Sequence, residues 1–190
     1  MTVCRLILAS ASPRRLELLS QIGIKPDLIS PTHIDETPKK SEQPDKLVSR
    51  LAFEKAKACT EEGIILAADT IVVCGGRILG KAENKNEAIE MLSRLSGRRH
   101  RVITCVVAKQ NETIKTRTVS TQVKFKNLSN EDIAAYIASN EWQDKAGAYA
   151  IQGLAGRFVI KINGSYSNVV GLPLYETASL LNSFGINCEG

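Results

Sequence analysis

Leu6-Ile7-Leu8-Ala9-Ser10-Ala11-Ser12-Pro13-Arg14-Arg15-Leu16-Glu17-Leu18-Leu19 reads as a buried strand, a tight polar turn and an amphipathic helix. Leu6 to Ala9 is an apolar run of strand length. Ser12 stands where an N-cap hydroxyl would accept a backbone N–H from the first helical turn. Pro13 follows at the first helical position, where its missing N–H costs nothing. Leu16, Leu19 and Ile22 then supply an apolar face, with Leu18 beside it. The turn offers helix amides, the hydroxyls of Ser10 and Ser12, and the guanidinium groups of Arg14 and Arg15. Two readings stand side by side: an ordinary capped strand–helix turn, or an anion site in which amides and arginine forks meet phosphate oxygens.

The 190 residues fit one domain with a substantial core, and 43% hydrophobic with 24% charged residues is a soluble, globular composition. No apolar run approaches membrane-spanning length. The run near the N-terminus is too short for a signal peptide, so a cytoplasmic location is expected. Five cysteines, Cys4, Cys59, Cys74, Cys105 and Cys188, show no C-x-x-C spacing. They read as reduced thiols, and a structural zinc site is not expected. The net charge of +5 suits an anionic partner. Basic residues stand singly or in pairs near turns and aromatics are few, which favours a phosphate-bearing small molecule over a polymer.

Along the chain, residues 27–30 read as a second strand. Residues 31–44 form a loop long enough to be functional, and it carries Asp35-Glu36. That pair is either a solvated acidic turn or a source of a cation-binding carboxylate. A helix is expected over 45–60, with Lys55 near its apolar stripe, either snorkelling to solvent or reaching a phosphate. Ile64 to Ala68 is a central strand ending at Asp69-Thr70, after which Ile71 to Cys74 resumes the apolar pattern. A carboxylate within such a run is expensive to bury unless it is paired or used, so Asp69 is the favoured site residue, as metal ligand or general base.

Gly75-Gly76 is a tight turn, and Lys81 precedes a helix over 86–95 closed by Ser96-Gly97. Arg98 to Arg101 is a basic cluster leading into a strand over 102–108, with a turn at Gln110-Asn111 and an antiparallel partner over 113–125. The cluster reads as a solvated strand edge, with nucleic-acid binding as the other reading. Ser129 starts a helix to about 139 and matches a capping box only loosely. Residues 140–156 are irregular and hold Trp142, Lys145, Tyr149 and Gln152, either as a base-reading loop or as a packed connection. A strand over 157–162, an extended segment over 165–170 and a helix from Gly171 to about Asn182, with Leu174, Ala178 and Leu181 inward, complete the expectation.

Taken together, LASASPRR at 8–15, FEKA at 53–56, AADTIV at 67–72, SGRRHRV at 96–102, DKAGAYAIQG at 144–153 and INGSYSNVVGLPL at 162–174 resemble the Maf-type nucleotide pyrophosphatases over nearly the whole chain. The segment around Tyr149 resembles the branch that acts on dTTP and UTP. The resemblance implies an α/β fold in a single domain over 1–190: a mixed, strongly curved central sheet with flanking helices and two lobes around a cleft, shared in outline with the inosine triphosphate pyrophosphatases. It implies hydrolysis of dTTP, UTP or modified pyrimidine nucleotides to the monophosphate and pyrophosphate, with Mg²⁺ or Mn²⁺, by a homodimer.

By the same resemblance Asp69 is the catalytic acidic residue. Ser10, Arg14, Lys55 and Lys81 face phosphate, Glu36 joins Asp69 at the metal, and Arg14, Thr70 and Gln152 govern substrate choice. Two departures stand out: Ala82 follows Lys81 where the family usually has proline, and Ala150 replaces a common glycine. Ala150 carries strain if its φ is positive. The alternatives are the same chemistry on CTP or 7-methyl-GTP, a septum or cell-division interaction protein with incidental catalysis, and nucleic-acid binding.

Overall fold

The computed structural model describes residues 5–187; Cys4 and Cys188 lie outside them. A mixed sheet runs in the order β2-β1-β3-β5-β6-β7, with β4 paired to β3. Its strands are β1 (Leu6–Leu8), β2 (Leu28–Ile29), β3 (Ile64–Cys74), β4 (Arg77–Leu79), β5 (Arg99–Gln110), β6 (Thr113–Phe125) and β7 (Val159–Asn163). The helices are α1 (Pro13–Gln21), α2 (Pro44–Ala58), α3 (Lys85–Leu95), α4 (Asn130–Ala138), α5 (Tyr166–Val170) and α6 (Leu174–Asn182). β1 is parallel to both β2 and β3, whereas β3–β4 and β6–β7 are antiparallel. β1 is an inner strand between two parallel neighbours, and Leu6, Ile7 and Leu8 are all buried, the pattern of parallel strands whose two faces are covered by helices. The expected mixed α/β architecture with flanking helices is the one found.

Among the described residues the chain forms two compact units. The first takes in residues up to Asp69, Thr104–Val119 and those from Gly171 onward; the second takes in Thr70–Ile103 and Ser120–Val170. In the first, α1 buries Leu18 and Leu19, while Leu16 and Ile22 of the expected apolar face are half-buried. Helix α6 buries Leu181 as expected, together with Thr177 and Leu180, and Leu174 and Ala178 are half-buried. In the second, Leu92, Leu95, Phe125, Tyr136 and Phe158 are fully buried. The ring of Phe125 stands edge-on to His100 and to Tyr149, 4.9 Å from each. The two-residue turn between β3 and β4 has φ of +57° at Gly75 and +75° at Gly76, the conformation that pairs of glycines supply in hairpins.

Several expectations are corrected. Strand β3 does not stop at Asp69; it continues unbroken to Cys74. The basic cluster is part of β5, where Arg99 and Arg101 point out and His100 points in. Residues 166–170 are helical, because Ser165 Oγ accepts the Asn168 N–H and the Asn168 amide donates to Val102 O and Thr121 Oγ1. Leu154–Phe158 is a 3₁₀ turn, so β7 begins only at Val159. Ser129 and Asp132 form both bonds of a capping box: aspartate is shorter than the preferred glutamate, yet it reaches the cap N–H at 3.2 Å. In the Tyr149 segment φ is positive at Asp144 (+56°), Gly147 (+69°) and Ala148 (+57°), not at Ala150. Cys59, Cys74 and Cys105 are free and buried.

His100 is 2% exposed, and its Nε2 lies 2.8 Å from Tyr149 Oη. Burial pushes its pKa from 6.5 down to about 4. Below pH 6.5 the unfolded chain therefore takes up a proton that the folded chain refuses until about pH 4, and stability falls as pH drops through that window. The loss attributable to His100 is about 3 kcal/mol. Urea unfolding across this range, compared with His100→Gln, measures it: the variant should lack this part of the acid destabilisation, and equal slopes would refute the assignment.

Candidate active site

In the first unit the opening turn is built differently from its sequence pattern. Ser12 occupies the N-cap position of α1, but its side chain makes no capping bond. Ser10 does the work instead: its buried Oγ accepts the Ser12 N–H at 3.2 Å and an Arg15 Nη1–H at 3.0 Å. Arg15 Nε donates to Gly171 O, also at 3.0 Å. Burial lowers the pKa of this guanidinium, and the Asp69 carboxylate opposes that shift. The two adjacent arginines thus differ in role. Arg15 pins the turn to the start of the C-terminal segment, and Arg14 is half-buried beside it.

Asp69 lies in mid-strand and is 6% exposed. Lys55, in the last part of α2, donates from Nζ to Asp69 Oδ1 at 2.5 Å and lies 2.7 Å from Glu36 Oε1. One ammonium therefore joins a buried carboxylate to an exposed one. Burial raises the Asp69 pKa above the usual carboxylate range, the Lys55 charge is the largest opposing influence, and the Glu36 charge adds to the rise. Such a carboxylate, raised but still paired, suits proton abstraction near neutral pH.

The loop that carries Glu36 is held from α2 by an arginine. Arg50 on α2 grips both oxygens of Glu42 at 2.8 Å, donates to Thr37 O at 3.1 Å and pairs with Glu54. The forked contact holds the Glu42 carboxyl down at about 2. Asp35 Oδ1 accepts the Thr37 N–H at 2.9 Å, closing a local turn. Within Asp35-Glu36, then, one carboxylate shapes the loop and the other reaches Lys55.

In the second unit Lys81 is exposed on a strand-like bridge to Ala146, and the Gly147 N–H donates to Gly80 O at 2.9 Å. Thr70 follows Asp69 in β3 and is half-buried. Gln152 is exposed, whereas Trp142 and Tyr149 are buried at 5% and 6% exposure. The two aromatic residues are therefore packing anchors and offer no stacking surface. Tyr136 Oη accepts the Ala150 N–H at 2.9 Å, and Glu141 Oε2 accepts the Leu154 N–H at 2.8 Å, bracing the segment on either side of Gln152. Asp69, Lys55 and Glu36 are thus brought together in the first unit with the Ser10–Arg15 turn, while Thr70, Lys81 and Gln152 belong to the second.

Gly147 has φ +69°, and a Cβ there would stand 3.0 Å from Val72 Cγ2. Gly147→Ala combines left-handed strain with overpacking and should cost roughly 2–4 kcal/mol. Thermal melting checks this; an unchanged Tm would show that the segment can shift away from Val72.

No group of three or more His, Cys, Asp or Glu side chains suited to a metal occurs among the described residues. The donor set at Lys55 is two carboxylates. Mg²⁺ is commonly held by one or two carboxylates with substrate phosphates completing its shell, so Asp69 and Glu36 fit such an ion.

A solved HAM1 protein from Coxiella burnetii aligns over 95% of this chain and 100% of that one, with a TM-score of 0.52 at 16% identity, a likeness of fold alone. The family follows from sequence: the model described as "Maf-like protein" matches residues 5–184, and the chain belongs to that family. It is 57% identical over 182 residues to a dTTP/UTP pyrophosphatase of Hyphomonas neptunium, covering 95% of each chain. It is 56% identical over 185 residues to one of Paramagnetospirillum magneticum, covering 95% of this chain and 97% of that one.

Proposed function

We propose that this chain is a nucleoside triphosphate pyrophosphatase that hydrolyses dTTP and UTP to the monophosphate and pyrophosphate. The observation that carries the reading is the buried Asp69 carboxylate paired through Lys55 to Glu36. The identity to relatives named for this activity, along nearly the whole chain, supports the choice of substrate. Asp69 takes the proton of the attacking water. Lys55, Arg14 and the Ser10 turn offset charge on the triphosphate, and the family resemblance makes Lys81 a further phosphate-facing residue. By the family resemblance Arg14, Thr70 and Gln152 govern substrate choice; the Gln152 amide can both donate to and accept from a pyrimidine edge.

Asp69 and Glu36 would hold a divalent cation, Mg²⁺ or Mn²⁺, which would offset charge on the phosphates. The family match runs through both compact units, in keeping with one catalytic domain over 1–190. The free buried thiols suit a reducing cytoplasm. No helix of the described residues is long and apolar enough to cross a membrane. By the family resemblance, the enzyme acts as a homodimer.

Product analysis tests the reaction. UTP or dTTP with the protein and Mg²⁺ should give monophosphate and pyrophosphate in equal amounts. Formation of the diphosphate and inorganic phosphate would contradict the proposal.

A further inference from the structure

We propose that the sheet of the second unit carries a further anion site, built for a small oligophosphate: inorganic pyrophosphate or the phosphate tail of a nucleotide. None of its residues has a part in the site described above. A cavity of about 220 Å³ is lined by Val73, the Gly75-Gly76 turn, Arg99, Arg101 and Gln122, along with His100. No lining residue is acidic.

Strand alternation puts Arg99 and Arg101 on one face of β5, opposite the face on which His100 enters the core. Across β6 and β7, Gln122 stands opposite Asn163, and Lys124 opposite Lys161. Gln122 and Lys124 are two residues apart and share a face; Gln122 lines the cavity, whereas Lys124 Nζ donates to Gly97 O, and none of these strand positions carries a carboxylate. Arg98 joins them: its Nη1 lies 4.0 Å from where a Gly75 Cβ would stand. At Gly76 a Cβ would meet nothing within 4 Å, leaving that side of the turn open.

These groups select the ligand. Two guanidinium forks at i and i+2 on a strand, with a third at the turn, match an anion with several oxygens spread over more than one phosphorus. The cavity is smaller than the ~300–1,000 Å³ of sites that engulf a whole drug-sized ligand, so it takes the compact phosphate group and leaves any nucleoside outside. A nucleic acid is disfavoured because no Phe, Tyr or Trp lines the cavity and the His100 ring, 2% exposed, offers no face to stack a base on.

The test is a titration of the full ¹⁵N-labelled chain with inorganic pyrophosphate, with EDTA present and ionic strength held constant, followed by amide and arginine side-chain NMR signals. Gly75, Gly76 and the Nε signals of Arg99 and Arg101 should shift and saturate. The double variant Arg99→Gln/Arg101→Gln should weaken binding by about tenfold or more. Gln122→Glu, which adds a carboxylate to the lining, should weaken it as well. A non-hydrolysable nucleoside triphosphate distinguishes the sources. Tighter saturation of the same signals by the analogue assigns the site to the nucleotide tail, and tighter saturation by pyrophosphate assigns it to the free anion.

The proposal is overturned if these signals do not move at millimolar pyrophosphate, or if they saturate equally in the double variant. It is also overturned if only an oligonucleotide shifts them, with steep salt dependence. The readout does not depend on turnover, so it stands or falls apart from the pyrophosphatase reading.

Discussion

Asp69→Asn is expected to lower turnover of dTTP and UTP by about 10²–10⁴-fold while leaving a cooperatively folded protein. The amide keeps the shape of the side chain and removes its capacity to take a proton. Lys55 keeps Glu36 as a partner at 2.7 Å, so its ammonium is not stranded. Initial rates beside thermal melts check the prediction. Activity within tenfold of the parent enzyme would show that another group takes the proton.

Lys55→Met should have an effect of similar size with a different signature. Burial raises the Asp69 pKa, and Lys55 is the strongest influence holding it back. Without the ammonium the carboxyl stays protonated to higher pH. Asp69 acts as a base only when ionised, so activity climbs as pH rises through its pKa. The acidic limb of the pH–rate profile should therefore move to higher pH in the variant, and kcat/KM should fall by roughly 10²–10³-fold as a phosphate contact is lost too. A lower rate with an unmoved acidic limb would mean that Lys55 serves only the substrate or the fold.

The strand–turn–helix at the start of the chain was legible because each part has its own local signal: an apolar run, Pro13 at a helix start, and leucines at helical spacing. Asp69 was legible for a related reason, as a carboxylate in an apolar run that must be paired or used. Its neighbour in space was visible only as a lysine close to an apolar stripe. The expected strand end at Asp69 did not materialise, because the Lys55 pair removes the need for a break and lets β3 run through.

What stayed hidden depends on distance along the chain. Nothing local joins Arg15 to Gly171, 156 residues away, so the division of labour between Arg14 and Arg15 could not be read. No local pattern marks Arg50 on α2, and only the path of the 31–44 loop brings Glu42 and Thr37 O to it. The helix over 166–170 is a tertiary choice. Its Val-Val pair favours a strand locally, and the buried Asn168 amide, bonded to Val102 O and Thr121 Oγ1, overrides that preference. Tyr149 and Trp142 looked available to a base until the core claimed them.

The central claim is tested most directly by pyrophosphate release from a panel of nucleoside triphosphates with Mg²⁺ or Mn²⁺, the parent protein beside Asp69→Asn. Selective turnover of dTTP and UTP that collapses in the variant is the predicted result. A folded, metal-supplied protein that turns over none of the nucleotides, or turns them over equally well with and without the Asp69 carboxylate, would contradict it.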